Sequence, residues 1–200
     1  MSNLKETILN PILKGNPITV LVLGICSSLA VTVQLKGALV MALSVTIVTG
    51  LSSLVVSLLR NTIPNRVRII VQLVVVAMMV ILVDQVLKAY AYAIDKQLSV
   101  YIGLIITNCI VMGRIEAFAL GNKPIPSLLD GLANGFGYGM ILVIVAFFRE
   151  LLGSGTLFGF RVLPEAYVPN NLVILPPFAL ILLGCIIWVQ RAVDKDLQEN

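Results

Sequence analysis

Apolar residues run along this chain in blocks of roughly twenty, the length a helix needs to cross a bilayer core of about 30 Å. Six blocks qualify, at residues 17–34, 37–59, 67–90, 98–119, 128–148 and 172–190. The separators are short and carry Pro, Gly, Asn or charge, as in Arg60-Asn61-Thr62-Ile63-Pro64-Asn65 and Gly121-Asn122-Lys123-Pro124-Ile125-Pro126. The pattern predicts an all-α polytopic membrane protein with six transmembrane helices, a single integral membrane domain over residues 1–200. No segment is long enough for a second, soluble domain. The longest gap, residues 149–171, holds Gly153-Ser154-Gly155 and Pro164 and leaves room for a short interfacial segment.

Composition agrees with this reading. Of the 200 residues, 58% are hydrophobic and 12% charged, too few charges to cover a soluble domain of this size. The net charge of +4 comes from basic residues scattered between apolar blocks. That distribution signals membrane topology rather than nucleic-acid binding. A cytoplasmic N-terminus puts Lys5, Lys14, Arg60, Arg66, Arg68, Arg114, Lys123, Arg191 and Lys195 inside and Lys36, Lys88, Lys96, Arg149 and Arg161 outside, nine against five of the 14 basic residues. Both termini are therefore expected on the cytoplasmic side. The first block lacks an A-x-A site and reads as a retained helix rather than a signal peptide.

Three spans per half bring the second half in from the opposite side, which fits a 3+3 inverted repeat. Cys26 lies midway along the first span and Cys109 midway along the fourth. Gly24, Ser27 and Ser28 adjoin the one, Asn108 and Gly113 the other, and all weaken a regular helix. Irregular backbone at this depth is tolerated only inside protein or along a water-filled cavity. Spans one and four are thus expected to break into half-helices that meet in the core.

A single cysteine in an apolar span is ordinarily an inert small hydrophobe, and Cys185, beside Gly184, keeps that reading. Two at matching depth beside polar break points make a candidate metal site. Thiolates suit iron, iron–sulfur clusters, zinc or Cu(I). A tetrahedral site needs four ligands, and the chain offers two at this depth and no histidine. The other two must come from a second subunit. The absence of histidine also excludes a Ser-His-Asp triad and His-ligated haem, and three cysteines form no disulfide framework.

Gly131, Gly135 and Gly139 recur every four residues and form a face that admits a close neighbouring helix. A dinucleotide fingerprint is absent. Among the carboxylates, Asp84 and Asp130 are candidates for an ion pathway, because a carboxylate in an apolar zone is costly and often functional. Glu116 and Glu150, near Arg114 and Arg149, read as solvated or paired at the interface. Nothing marks a catalytic residue.

The strings Ile106-Thr107-Asn108-Cys109-Ile110-Val111-Met112-Gly113-Arg114, Asp130-Gly131 and Phe148-Arg149-Glu150-Leu151-Leu152-Gly153-Ser154-Gly155-Thr156-Leu157-Phe158-Gly159 resemble the NqrD/RnfE membrane family, as does Pro64-Asn65 followed by Val67-Arg68-Ile69-Ile70-Val71-Gln72. The likeness runs over nearly the whole chain. It implies a multi-pass subunit of the bacterial inner membrane, in a translocase that oxidises NADH, reduces ubiquinone and exports Na⁺. It also implies a homologous E-type subunit of inverted topology as partner, sharing an iron or [2Fe–2S] site to which Cys26 and Cys109 contribute, with NADH and flavins bound by other subunits. The same likeness admits an RnfE-type subunit of the sister complex. From the residues alone, a secondary transporter without redox chemistry and a purely structural membrane subunit remain open.

Overall fold

The computed structural model describes residues 15–64, 66–90, 103–157, 160–161 and 171–193. The start of the expected fourth span, residues 98–102, lies outside them, as do Lys5, Lys14, Lys96, Pro164 and Lys195.

The regular elements of the described chain are helices apart from a two-residue antiparallel ladder. In order come α1 (Ile25–Val31), α2 (Leu35–Leu59), α3 (Arg68–Tyr90), α4 (Cys109–Arg114), a π-helical turn (Ile115–Ala119) and α5 (Pro124–Ser154). The ladder strands β1 (Thr156–Leu157) and β2 (Phe160–Arg161) follow, then α6 (Asn171–Ile174) and α7 (Pro176–Val193). Among the described residues four helices, Leu35–Leu59, Arg68–Val86, Pro124–Ser154 and Pro176–Val193, are long and apolar enough to cross a membrane.

The expected boundaries shift where capping residues overrule hydropathy. Hydropathy bounds the fifth block at residues 128–148, but α5 runs from Pro124 to Ser154. Proline at the first helical position costs no hydrogen bond and presets φ, and Gly155 closes the helix at φ 67°, in the left-handed region. At 31 residues α5 is about 46 Å long, so it must tilt or project beyond the apolar layer. The sixth block divides at Leu175, where Pro176 and Pro177 start a new helix.

The first block is helical only over Ile25–Val31 among its described residues. Turns, bends and irregular backbone fill residues 15–24, with Val22 at φ 56° and Gly24 at φ 81°. In the fourth block, helical residues 103–106 give way to a turn at Thr107 and extended backbone at Asn108, from which α4 starts.

The core is built on α2 packed antiparallel to α5, at the glycines. A Cβ added to Gly131 would lie 2.8 Å from the Thr49 carbonyl oxygen, one on Gly135 2.6 Å from Thr46 Cα, and one on Gly139 2.9 Å from Ala42 Cβ. Buried faces carry small and hydroxylated residues such as Ser44, Thr49, Ser53 and Asn134, whereas Leu43, Ile47, Ile70, Val74 and Met78 point outward. A polar-lined interior with an apolar exterior is the arrangement expected where lipid, not water, surrounds the protein. Val45, Val48, Val76, Leu142 and Val145 fill the space between.

Candidate thiol site

The site begins where α1 and α4 begin. Gly24 caps α1 from the left-handed region, where glycine escapes the penalty a Cβ would impose. Its carbonyl accepts the Ser28 N–H at 3.2 Å and the hydroxyls of Ser27 at 3.0 Å and Ser28 at 2.9 Å. Asn108 caps α4: its Oδ1 accepts the Ile110 N–H at 3.2 Å. Cys26 is therefore the second residue of α1 and Cys109 the first of α4. The first N–H groups of a helix have no partner within it. Those of Cys26 and Ser27 are among them, and Cys26 and Cys109 are brought to neighbouring positions because the residues beside them, Ser27 and Asn108, are bonded at 3.3 Å. Both thiols are exposed on the surface of this chain.

Beneath the sulfurs lies a buried polar network. The Asn108 Nδ2 donates to Ser27 Oγ at 3.3 Å, and Tyr138 on α5 meets the same oxygen at 2.7 Å. Ser27 spends its single proton on the Gly24 carbonyl, so Tyr138 donates to it. Tyr138 is fully buried, and its ring would lie 3.0 Å from a Cβ on Gly24. Asn16 extends the network, its Nδ2 donating to the Gly137 carbonyl at 3.0 Å.

The carboxylates are engaged elsewhere. Asp130 is buried and receives a two-pronged bond from Arg114, Nε to Oδ2 at 2.9 Å and Nη2 to Oδ1 at 2.6 Å, with Asn134 adding a third at 3.0 Å. Asp84 pairs with Lys88 one turn later on α3. Glu116 pairs with Arg68 and accepts from Gln72 at 2.8 Å.

One expectation about charge is corrected. Glu150 reads from sequence as a solvated or paired interfacial acid, yet it is buried, and the adjoining Arg149 is 1% exposed. Arg149 donates to the Leu29, Val173 and Ile174 carbonyls and to Thr32 Oγ1, so it closes the C-terminal ends of α1 and α6. Glu150 accepts the Leu35 N–H at 2.6 Å and so caps the N-terminus of α2. Each charge complements the dipole it meets, cation at C-termini and anion at an N-terminus. Only their adjacency inside an apolar stretch hinted at burial. Tyr138, concealed in a glycine-rich string, gave no signal.

Two exposed thiols at adjoining helix starts have the donor chemistry for one half of a thiolate-ligated metal site. Among the described residues no group of three or more Cys, Asp or Glu side chains could hold an ion within the chain alone. Cys185 lies on α7, exposed.

A family model described as "Rnf-Nqr subunit, membrane protein" matches residues 4–187. The chain belongs to the Rnf-Nqr family. Its relatives are more specific. It is 59% identical over 198 residues to the D-type subunit of the Na(+)-translocating NADH-quinone reductase of Aeromonas hydrophila, covering 96% of this chain and 94% of that one. It is 56% identical over 201 residues to the protein of the same name from Haemophilus influenzae strain PittGG, covering 98% and 97%.

Proposed function

We propose that this chain is the D-type subunit of a Na⁺-translocating NADH-quinone reductase and that Cys26 and Cys109 supply half of an intramembrane iron or [2Fe–2S] site. The identities to proteins of that name over nearly full length support the first part. The second rests on one observation: thiols 83 positions apart in sequence sit at two helix starts whose adjoining residues, Ser27 and Asn108, are bonded at 3.3 Å, and both are exposed.

Cys26 and Cys109 would hold the group, and a second polypeptide, the homologous E-type subunit of inverted topology, would complete its ligands. When bound, such a group supplies a one-electron carrier within the membrane. The chain's own part is to hold two thiolates at a fixed spacing at the starts of α1 and α4, where backbone N–H groups are free to face them. Flavins and NADH belong to other subunits. In this reading the chain spans a bacterial inner membrane six times as a 3+3 inverted repeat, with broken spans one and four and cytoplasmic termini. The interrupted backbone before Ile25 and at Asn108 supports it. Asp130 and Asp84 serve the ion pathway, Asp130 from the polar interior and Asp84 from α3.

Iron analysis with EPR of the purified complex tests the proposal, wild type beside Cys26→Ala and Cys109→Ala. Loss of the iron signal in both variants, with the complex still assembled, is expected. Full iron in both would leave this chain a structural subunit.

A further inference from the structure

Each cysteine has a neighbour in sequence that joins the buried network. Ser27 follows Cys26 and Asn108 precedes Cys109, and these two are bonded to each other at 3.3 Å. The third member, Tyr138, comes from a separate long helix anchored in the core. Ser27 Oγ has one proton and two lone pairs, and its three partners, the Gly24 carbonyl, Asn108 and Tyr138, use all of them.

We propose that Tyr138 is a positioning residue for the thiol pair: its hydroxyl holds Ser27 against Asn108 and thereby fixes both the spacing of Cys26 and Cys109 and the placement of the Ser27 N–H, free at the helix start, beside Cys26. Asn108 is tied at both ends, to Ser27 and to the Ile110 N–H, so α4 is held in register with α1 through one hydroxyl. Without the Tyr138 donor, one lone pair of a fully buried serine loses its partner, and the short α1 is free to shift. In a dry interior such a loss is not made good by water.

The consequence for redox chemistry rests on the metal-site reading above. N–H donors to a ligating sulfur favour the more negative, reduced state and raise the potential. A looser Ser27 weakens that donor, so the potential falls.

The test uses the intact complex, with Tyr138→Phe and Ser27→Ala. Phenylalanine keeps the ring that packs on Gly24, and alanine at 27 removes the shared acceptor while leaving Tyr138 whole. Both variants are expected to keep full iron and to lower the EPR midpoint potential by about 40 mV, a fivefold change converted at about 59 mV per tenfold for one electron. The double variant should shift no further, because both changes break one network. A second measurement needs no iron. In chelator-treated complex, diamide oxidises the thiols, and mass spectrometry of the peptides identifies the Cys26–Cys109 disulfide. Its formation is expected to slow about fivefold in both variants, the factor a single buried hydrogen bond commands. An unchanged or raised potential together with an unchanged oxidation rate overturns the role of Tyr138 while leaving the iron site standing. Absence of iron from the wild type overturns the metal reading, and the oxidation rates then decide the role of Tyr138 alone.

Discussion

Arg149 donates to Thr32 Oγ1 at 2.5 Å, joining the long helix α5 to the C-terminal end of the short helix that carries Cys26. The same guanidinium reaches the Leu29 carbonyl at 3.1 Å and the Ile174 carbonyl at 2.5 Å. One side chain thus anchors α1 from behind while Tyr138 anchors it in front.

Arg149→Met should therefore destabilise the complex by about 3 kcal/mol, since several buried acceptors lose their donor at once. Arg149→Lys should recover little, because an ammonium is a point charge and lacks the planar fork. Thermal denaturation of the detergent-solubilised complex measures both, and a lysine variant of wild-type stability would refute the clamp.

At the α2–α5 contact the glycines differ in how much room they have. Gly135→Ala, with Thr46 Cα at 2.6 Å, should cost about 2 kcal/mol, within the range for overpacked cores. Gly184→Ala on α7, with nothing within 4 Å, should be neutral or slightly stabilising. Equal melting temperatures for the two variants would contradict the packing described here.

Asp130→Asn leaves the Arg114 guanidinium without its carboxylate and should destabilise by about 3 kcal/mol. Replacing both, Arg114→Met with Asp130→Leu, should restore much of that loss. Asp84→Asn breaks a pair whose lysine is half exposed and should change stability by less than about 1 kcal/mol. For the ion pathway the readout is the Na⁺ dependence of turnover. A raised KM for Na⁺ in either Asn variant is expected, and unchanged Na⁺ kinetics would remove that aspartate from the route.

Much of the fold is legible in one dimension. The long apolar blocks account for α2, α3, α5 and α7 because lipid imposes length and hydropathy on a helix directly. Cys26 and Cys109 stand out because each adjoins a polar, helix-weakening residue, and in the structure two of those residues, Ser27 and Asn108, are bonded to each other. Family membership is legible too, in strings such as Thr107-Asn108-Cys109 and Arg149-Glu150-Leu151. What stays hidden depends on partners distant in sequence. Arg149 and Glu150 look like interfacial charges until α1, α2 and α6 supply the helix ends that bind them. Tyr138 acquires its part only when Ser27, 111 positions away, arrives beside it. Hydropathy misses the limits of α5 at Pro124 and Gly155 because caps set them.

Cysteine substitutions should divide cleanly. Cys185→Ala, on the exposed face of α7, is expected to leave iron content and turnover at wild-type values. Loss of iron in that variant would shift the metal site away from the α1–α4 pair.

The most direct measurement is an experimental density map of the intact complex with anomalous scattering recorded at the iron edge. An iron peak bridging the sulfurs of Cys26 and Cys109 to two sulfurs of a neighbouring polypeptide is the predicted result. Both thiols turned to lipid, with no iron between them and the adjoining chain, would contradict the account.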